Sequence, residues 1–203
     1  TGVGHWPMDE GSGTVTADAA GDHDGTLVNG PTWTPGRSGS ALQFDGANQF
    51  VDTGAPILQT TGNYTATAWV KLDSLGGFAT AVSQDGDPHS AFFLQYSGAD
   101  NRFAFSFAGV RALAPTAPET GRWYHLAGVR DMSTGSLTLY VDGQRAGTAH
   151  SCLGASSSGN TVIGRGKYNG NPVDYWRGAL DQVRVYDRAL SATEVAQLYT
   201  AGG

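Results

Sequence analysis

Leu137-Thr138-Leu139-Tyr140-Val141-Asp142-Gly143-Gln144-Arg145 and, further on, Trp176-Arg177-Gly178-Ala179-Leu180-Asp181-Gln182-Val183-Arg184-Val185-Tyr186-Asp187-Arg188-Ala189-Leu190-Ser191 are the stretches that decide the fold. In the first, apolar and polar residues alternate, and the alternation stops at Asp142-Gly143. That pair favours a two-residue hairpin turn, whose central positions take positive φ. The second run reads as a strand that hands over to a short helix starting at Ser191. Ser191 and Glu194 have the Ser-x-x-Glu spacing of a capping box, which supplies acceptors to free N–H groups at the helix start.

Working outward, Tyr64 to Lys71 alternates strictly. Arg102-Phe103-Ala104-Phe105-Ser106-Phe107 sets its phenylalanines on one face, which reads as core. Further strands are expected at Val3 to Met8, Ser40 to Asp45, Phe50 to Asp52, Ala79 to Ser83, Ala91 to Tyr96, Trp123 to Arg130 and Thr161 to Gly164. Polar loops are expected at 84–90 and 165–174. About a dozen short strands with one terminal helix specify an all-β fold, a two-sheet antiparallel β-sandwich.

The composition agrees. The chain has 203 residues, of which 15% are charged and 30 are glycine, as befits one domain of short strands and many turns. A formal net charge of −6 argues against a nucleic-acid partner. It favours a neutral glycan or a cation over an anionic polysaccharide. Cys152 is the sole cysteine, so no intrachain disulfide forms, and a core of this size needs none. No apolar run approaches the ~20 residues that span a bilayer, so no membrane insertion is expected. The chain opens on Thr1-Gly2-Val3 and enters a strand at once, as expected of residues 1–203 forming a single module of a larger secreted protein. Lysine is scarce beside arginine and alanine abundant, which points to a GC-rich bacterial source.

Several further runs join the two closing ones in order: Trp6 to Gly13, Asp18 to Leu27, Ala41 to Gly46, Ala66 to Val70 and Gly121 to His125. Together they resemble laminin G-like jelly-roll domains of the concanavalin A-like lectin/glucanase superfamily, over nearly the whole chain. The resemblance implies a jelly roll that binds sugars or other extracellular ligands, in a superfamily that also contains glycan-cleaving enzymes.

Glycan hydrolysis usually needs two carboxyl groups at a fixed separation. The glucanase relatives carry theirs in a strand as Glu-x-Asp-x-x-Glu. Here the glutamates are Glu10, Glu119 and Glu194, and none lies in such a pattern. A lyase would need a base such as His125 or Tyr124 near an arginine such as Arg130, but alternation makes His125 a sheet-face or core residue. There is no Gly-x-Ser-x-Gly, His-Glu-x-x-His or cysteine cluster. No catalytic residue is assigned.

The resemblance implies a structural calcium, which wants several oxygen ligands. Asp181 alternates with Val183 and Val185, so its carboxylate is expected among core side chains, where it needs a cation or donors. Pairing of the first and last strands would bring Asp9, Glu10 and the following loop near it. Asp18, Asp22 and Asp181 are the candidate metal ligands. The alternative is that Asp18 and Asp22 form Asx-turns and Asp181 accepts backbone N–H groups. Asp45 is expected to hold its own turn.

Planar polar groups read sugar hydroxyls, and an aromatic ring takes the apolar face of a pyranose. Two loops carry that chemistry. The first offers Gln84, Asp85, Asp87 and His89. The second offers Lys167, Tyr168, Asn169, Asn171, Asp174 and Tyr175, with Trp176 either beside them or packed inward. Phe78 and Tyr96 are read as core or sheet face. The expected function is a non-catalytic carbohydrate-binding module for a neutral poly- or oligosaccharide, joined to a catalytic domain of a secreted bacterial glycan-active protein. The alternative is a calcium-stabilised adhesion or protein-interaction module. A glycoside hydrolase or polysaccharide lyase ranks below both.

Overall fold

The computed structural model describes residues 2–107 and 109–202. In chain order the first strands are β1 (Gly4–Trp6), β2 (Val15–Thr16), β3 (Gly25–Val28), β4 (Thr32–Pro35), β5 (Ser40–Asp45) and β6 (Phe50–Asp52). There follow β7 (Tyr64–Leu72), β8 (Ala79–Gln84), β9 (Phe93–Ser97), β10 (Arg102–Phe107), β11 (Val110–Leu113) and β12 (Trp123–Asp131). The last are β13 (Ser136–Val141), β14 (Gln144–His150), β15 (Thr161–Ile163), β16 (Gly166–Tyr168), β17 (Asn171–Val173) and β18 (Arg177–Tyr186), then helix α1 (Ala192–Ala201). Strands outnumber the expected dozen because short edge strands and the β16–β17 pair lack a long alternating run.

Two eight-stranded antiparallel sheets face each other in a jelly-roll sandwich. The first has the order β14-β13-β12-β7-β18-β5-β4, with β1 pairing β18; the second runs β11-β10-β9-β8-β15-β6-β3-β2. Trp6, Leu42, Phe44, Val70, Leu94, Phe105, Leu126, Ile163, Trp176 and Val183 all bury completely between them. Trp176 is therefore a core residue, and its Nε1 donates to the Lys71 carbonyl at 3.3 Å. Tyr96 also belongs to the core.

Asp142 and Gly143 take φ of 52° and 78°, the two positive values a type I′ turn requires, and join β13 to β14. Helix α1 carries the expected capping box: the Glu194 N–H donates to Ser191 Oγ, and the Ser191 N–H to the Glu194 carboxylate. It lies on the outer face of the first sheet, where Val195 and Leu190 pack with Ala127, Val129 and Tyr186. His125 is buried there too, its ring 5.2 Å from Trp69. Burial pushes the His125 imidazole down to about 4.

One expectation fails in β18. Asp181 does not share a face with Val183 and Val185. Gln182 takes φ of 49°, and the register against β7 shifts between Asp181 and Arg184. This bulge inserts an extra residue and resets the alternation. Leu180 and Val183 both face the core, while Asp181 faces outward beside Trp69, its cross-strand partner.

Gly128 in β12 sits against the Phe105 ring, where a Cβ would overlap ring carbons. Gly128→Ala is expected to lower stability by ~1–3 kcal/mol through overpacking. Urea denaturation checks this; an unchanged midpoint would mean that Phe105 has room to move.

Candidate functional site

On the outer face of the second sheet lies a cavity of about 720 Å³. Its floor comes from the alternation of β9 and β10. Leu94, Tyr96, Phe103 and Phe105 point inward, so Phe93, Gln95 and Ser106 point outward. Gln95 and Ser106 are nonetheless 3% and 4% exposed. They form a chain with β8: Thr80 Oγ1 donates to Gln95 Oε1 at 3.2 Å, and Gln95 Nε2 donates to Ser106 Oγ at 3.0 Å. Ser106 thus keeps its hydroxyl proton for a ligand. Phe78 and Arg111 form one side.

The other side is the β16–β17 hairpin, where a polar loop was expected. Asn169 and Gly170 take φ of 50° and 78°, again the turn pattern of a tight hairpin. Gly166 lies directly on Phe93: a Cβ would come within 2.7 Å of the ring. The hairpin is fastened to the 84–90 loop. The Ser90 N–H donates to the Lys167 carbonyl (2.9 Å), the Lys167 N–H to Ser90 Oγ (2.8 Å), and the Gly170 N–H to the Pro88 carbonyl (2.9 Å). The two rim loops of the sequence reading therefore meet.

Three of the expected ligand residues line the cavity: His89, Tyr168 and Asp174. Tyr168 is 54% exposed and stacks on His89, with ring centroids 4.4 Å apart at 26°. The Asn169 N–H donates to His89 Nδ1 at 3.0 Å. With Nδ1 accepting, Nε2 is the ring nitrogen left to donate. Asp174 ends the hairpin at φ of 58°, a costly value for a residue with a side chain. The Thr80 N–H donates to its carbonyl at 2.8 Å. Burial pushes the Asp174 carboxyl up to about 6, against the pull of Arg177. Among the described residues no donor bonds its carboxylate.

The other candidates fall elsewhere. Gln84 is fully buried; its amide donates to the Leu58 carbonyl at 2.8 Å and accepts from the Leu58 N–H and Thr161 Oγ1. It is a structural amide and has nothing to offer a ligand. Asp85 is spent on a bidentate pair with Arg165, both bonds 2.8 Å. Lys167 Nζ donates to the Gly86 carbonyl at 2.9 Å. Asn171 Nδ2 donates to the Asn169 carbonyl at 3.1 Å, within the hairpin turn. Asp87, Asn169 and Asn171 are exposed and Tyr175 is half-buried; none of them lines the cavity. The reading missed Phe78, Phe93, Gln95, Ser106 and Arg111. Alternation in β9 and β10 could have found Phe93, Gln95 and Ser106, as the face opposite the core.

The candidate metal ligands do not assemble. Asp18 Oδ1 accepts the N–H groups of His5, Ala20 and Gly21, and Oδ2 accepts that of His23. It is the hub of an Asx-type loop with both oxygens engaged, and Asp22 is exposed. Among the described residues no three acidic, histidine or cysteine side chains converge. Asp181 is different. Its Oδ2 accepts the Ser38 N–H at 3.1 Å, but its Oδ1 is buried without a partner. Burial, with Asp9 nearby, pushes its carboxyl up to about 7. Its acidic neighbour is Asp9, and Asp18 and Asp22 do not join it.

A family model described as the concanavalin A-like lectin/glucanases superfamily matches residues 45–196. No curated protein sequence matches the chain. Domain 4 of AbnA, a GH43 extracellular arabinanase from Geobacillus stearothermophilus solved with arabinotriose, is 20% identical, with a TM-score of 0.78 over 98% of both chains. Trypanosoma rangeli sialidase in complex with sialic acid is 17% identical, with a TM-score of 0.70 over 97% of this chain and 32% of that one. The binding domain of Paraclostridial Mosquitocidal Protein 1 is 14% identical, with a TM-score of 0.73 over 98% of this chain and 52% of that one. At these identities the likeness is one of fold.

An acid whose folded pKa lies above its unfolded value binds more protons when folded, so its charging costs stability as pH rises. For Asp174 that loss runs from about 3.8 upward through about 6. Asp174→Asn removes it. Between about pH 4 and about pH 8 the variant is expected to gain stability relative to wild type, read as urea midpoints. Parallel pH profiles would show that Asp174 is solvated.

Proposed function

We propose that this chain, which belongs to the concanavalin A-like lectin/glucanase superfamily, is a non-catalytic carbohydrate-binding module. One observation carries the reading: Tyr168 presents an exposed ring, held by His89, at a cavity whose buried floor sets Gln95 and Ser106 beside Phe93. A sugar ring stacks its apolar C–H face on such a ring and turns its hydroxyls to the polar groups. Asp174 accepts from ligand hydroxyls; Ser106 Oγ–H and His89 Nε2–H donate to them. Glycan cleavage would ask for a second carboxylate, and among the described residues Asp174 is the one that lines the cavity.

Such a module acts by tethering. Joined to a catalytic domain of a secreted bacterial protein, it would raise that domain's concentration at the glycan. The arabinotriose bound to the similar arabinanase domain makes arabinan a natural first probe. Affinity electrophoresis over plant, fungal and bacterial polysaccharides tests the reading. Selective retardation is expected, weakened roughly tenfold or more by Tyr168→Ala with the melting temperature unchanged. Retardation by no glycan would move the assignment to a protein-interaction module.

A calcium ion at Asp181 and Asp9 is part of the proposal, supported by the unpartnered buried oxygen of Asp181. It would neutralise that carboxylate and tie the 36–40 loop to the last strand. Binding to the folded state alone raises the melting temperature. Calcium is expected to raise it over chelator in wild type and in Asp22→Asn, but not in Asp181→Asn. Equal melting curves with calcium and chelator would remove the ion from the scheme.

A further inference from the structure

We infer that the cavity takes uncharged sugar units and rejects acidic ones, and that Asp100, outside the cavity, sets this selectivity. The inference rests on the carbohydrate-site reading and names the ligand class of that site.

Among the described residues the cavity lining holds one arginine and no lysine. That arginine, Arg111, is already engaged. Its NH1 donates to Asp100 Oδ2 at 3.2 Å, and its guanidinium lies over the Phe78 ring at 5.3 Å. Asp100 is itself held in place: Ser97 Oγ donates to Oδ2 at 2.6 Å, and the Asp100 N–H returns to Ser97 Oγ at 3.3 Å. The next residue, Asn101, accepts from the Tyr96 hydroxyl at 2.6 Å, which pins the turn to the core. Asp100 therefore cannot swing away from Arg111 cheaply.

Asp174 completes the balance. It lines the same cavity, half-buried, and no described residue neutralises it by contact. Arg111 and Asp100 cancel, and Asp174 leaves one negative charge in excess. A uronate entering this space would have to displace Asp100 from Arg111 or sit unpaired near Asp174. The first course costs the Arg111–Asp100 pair, and the second sets one carboxylate against another. A hydroxyl-bearing neutral ring meets no such penalty, because it donates to Asp174 and accepts from Ser106 and His89. Chemistry that could bind an acid is present in Arg111 but held out of use.

The test is affinity electrophoresis at low salt in gels of arabinan, galactan and xylan, and of polygalacturonate and alginate. Wild type is expected to be retarded by a neutral gel and by neither anionic one. The double variant Asp100→Asn/Asp174→Asn is expected to gain retardation in an anionic gel by roughly tenfold, and to lose the gain on adding Arg111→Gln or salt. Melting curves confirm that each variant is folded, and Asp100→Asn alone, expected to show a smaller gain, serves where the double variant is not. The inference is overturned by wild type held as strongly in anionic as in neutral gels. It is equally overturned by folded variants that gain nothing. A wild type held by no gel, with a variant that gains anionic binding, would refute the glycan assignment while leaving the role of Asp100 intact.

Discussion

The constraint on which the first sheet depends is the bulge at Gln182. β18 pairs β7 along one edge for most of its length. On its other edge it pairs β5 through Arg177–Leu180 and β1 through Val183–Val185. The change of partner falls at the residue that leaves the regular β conformation. Were the strand regular through Gln182, Val183 and Val185 would turn outward and Arg184 inward, because a one-residue slip exchanges the faces of a strand. His5 Nε2 and Gln182 Oε1, 2.8 Å apart, fasten the bulge to the first strand. The chain's beginning is thus docked against its end by one local irregularity, and that docking brings Asp9 near Asp181.

A second consequence follows further along. The chain must leave β15 in the second sheet and reach β18 in the first. It does so through the β16–β17 hairpin, which stands against the outer face of the second sheet instead of crossing directly. The hairpin is a poor sheet by itself, since an isolated two-stranded ribbon is marginal in water. Its order comes from the backbone bonds to Pro88 and Ser90, from Gly166 seated on Phe93, and from the Arg165–Asp85 pair at its base. The cavity is the space left between this hairpin and the strands it overhangs. Tyr168 gains a fixed position from the same fastening.

The sandwich, the Asp142-Gly143 turn and the capped helix were legible because each is written in local pattern. So was the inward packing of the Phe103–Phe107 face. The site was legible only as two loops of suitable composition. Its floor was hidden because period-two alternation identifies the core face and leaves the other to be assumed solvent-facing; here a hairpin from the far end of the chain covers it. Gln84 misled for the related reason that an amide's bonding partners are non-local: its acceptors and donors come from Leu58 and Thr161. Asp181 misled through the bulge, for Gln182 bears no mark in the sequence that a glycine or asparagine would have given. Asp18 kept both readings open, and its four backbone N–H donors decided for the Asx-type loop.

Backbone strain is distributed in a way that separates turns from sites. Asn29, Asn101, Asp142 and Asn169 take positive φ within turns, where short polar residues tolerate it. Met8, Gln182 and Asp174 do so elsewhere. Met8 and Gln182 lie along the seam between the chain's two ends, and each such residue costs on the order of 1–3 kcal/mol that the surrounding packing must offset. Met8 is fully buried, which supplies that offset, and Gln182 lies at the bulge that the sheet needs. Asp174 has neither excuse. It is half-buried, its carboxylate is raised by desolvation, and a glycine at that position would remove the strain and the charge together. A residue unfavourable in both backbone and side chain, lining the cavity from the same hairpin as the exposed Tyr168, supports the proposed binding site.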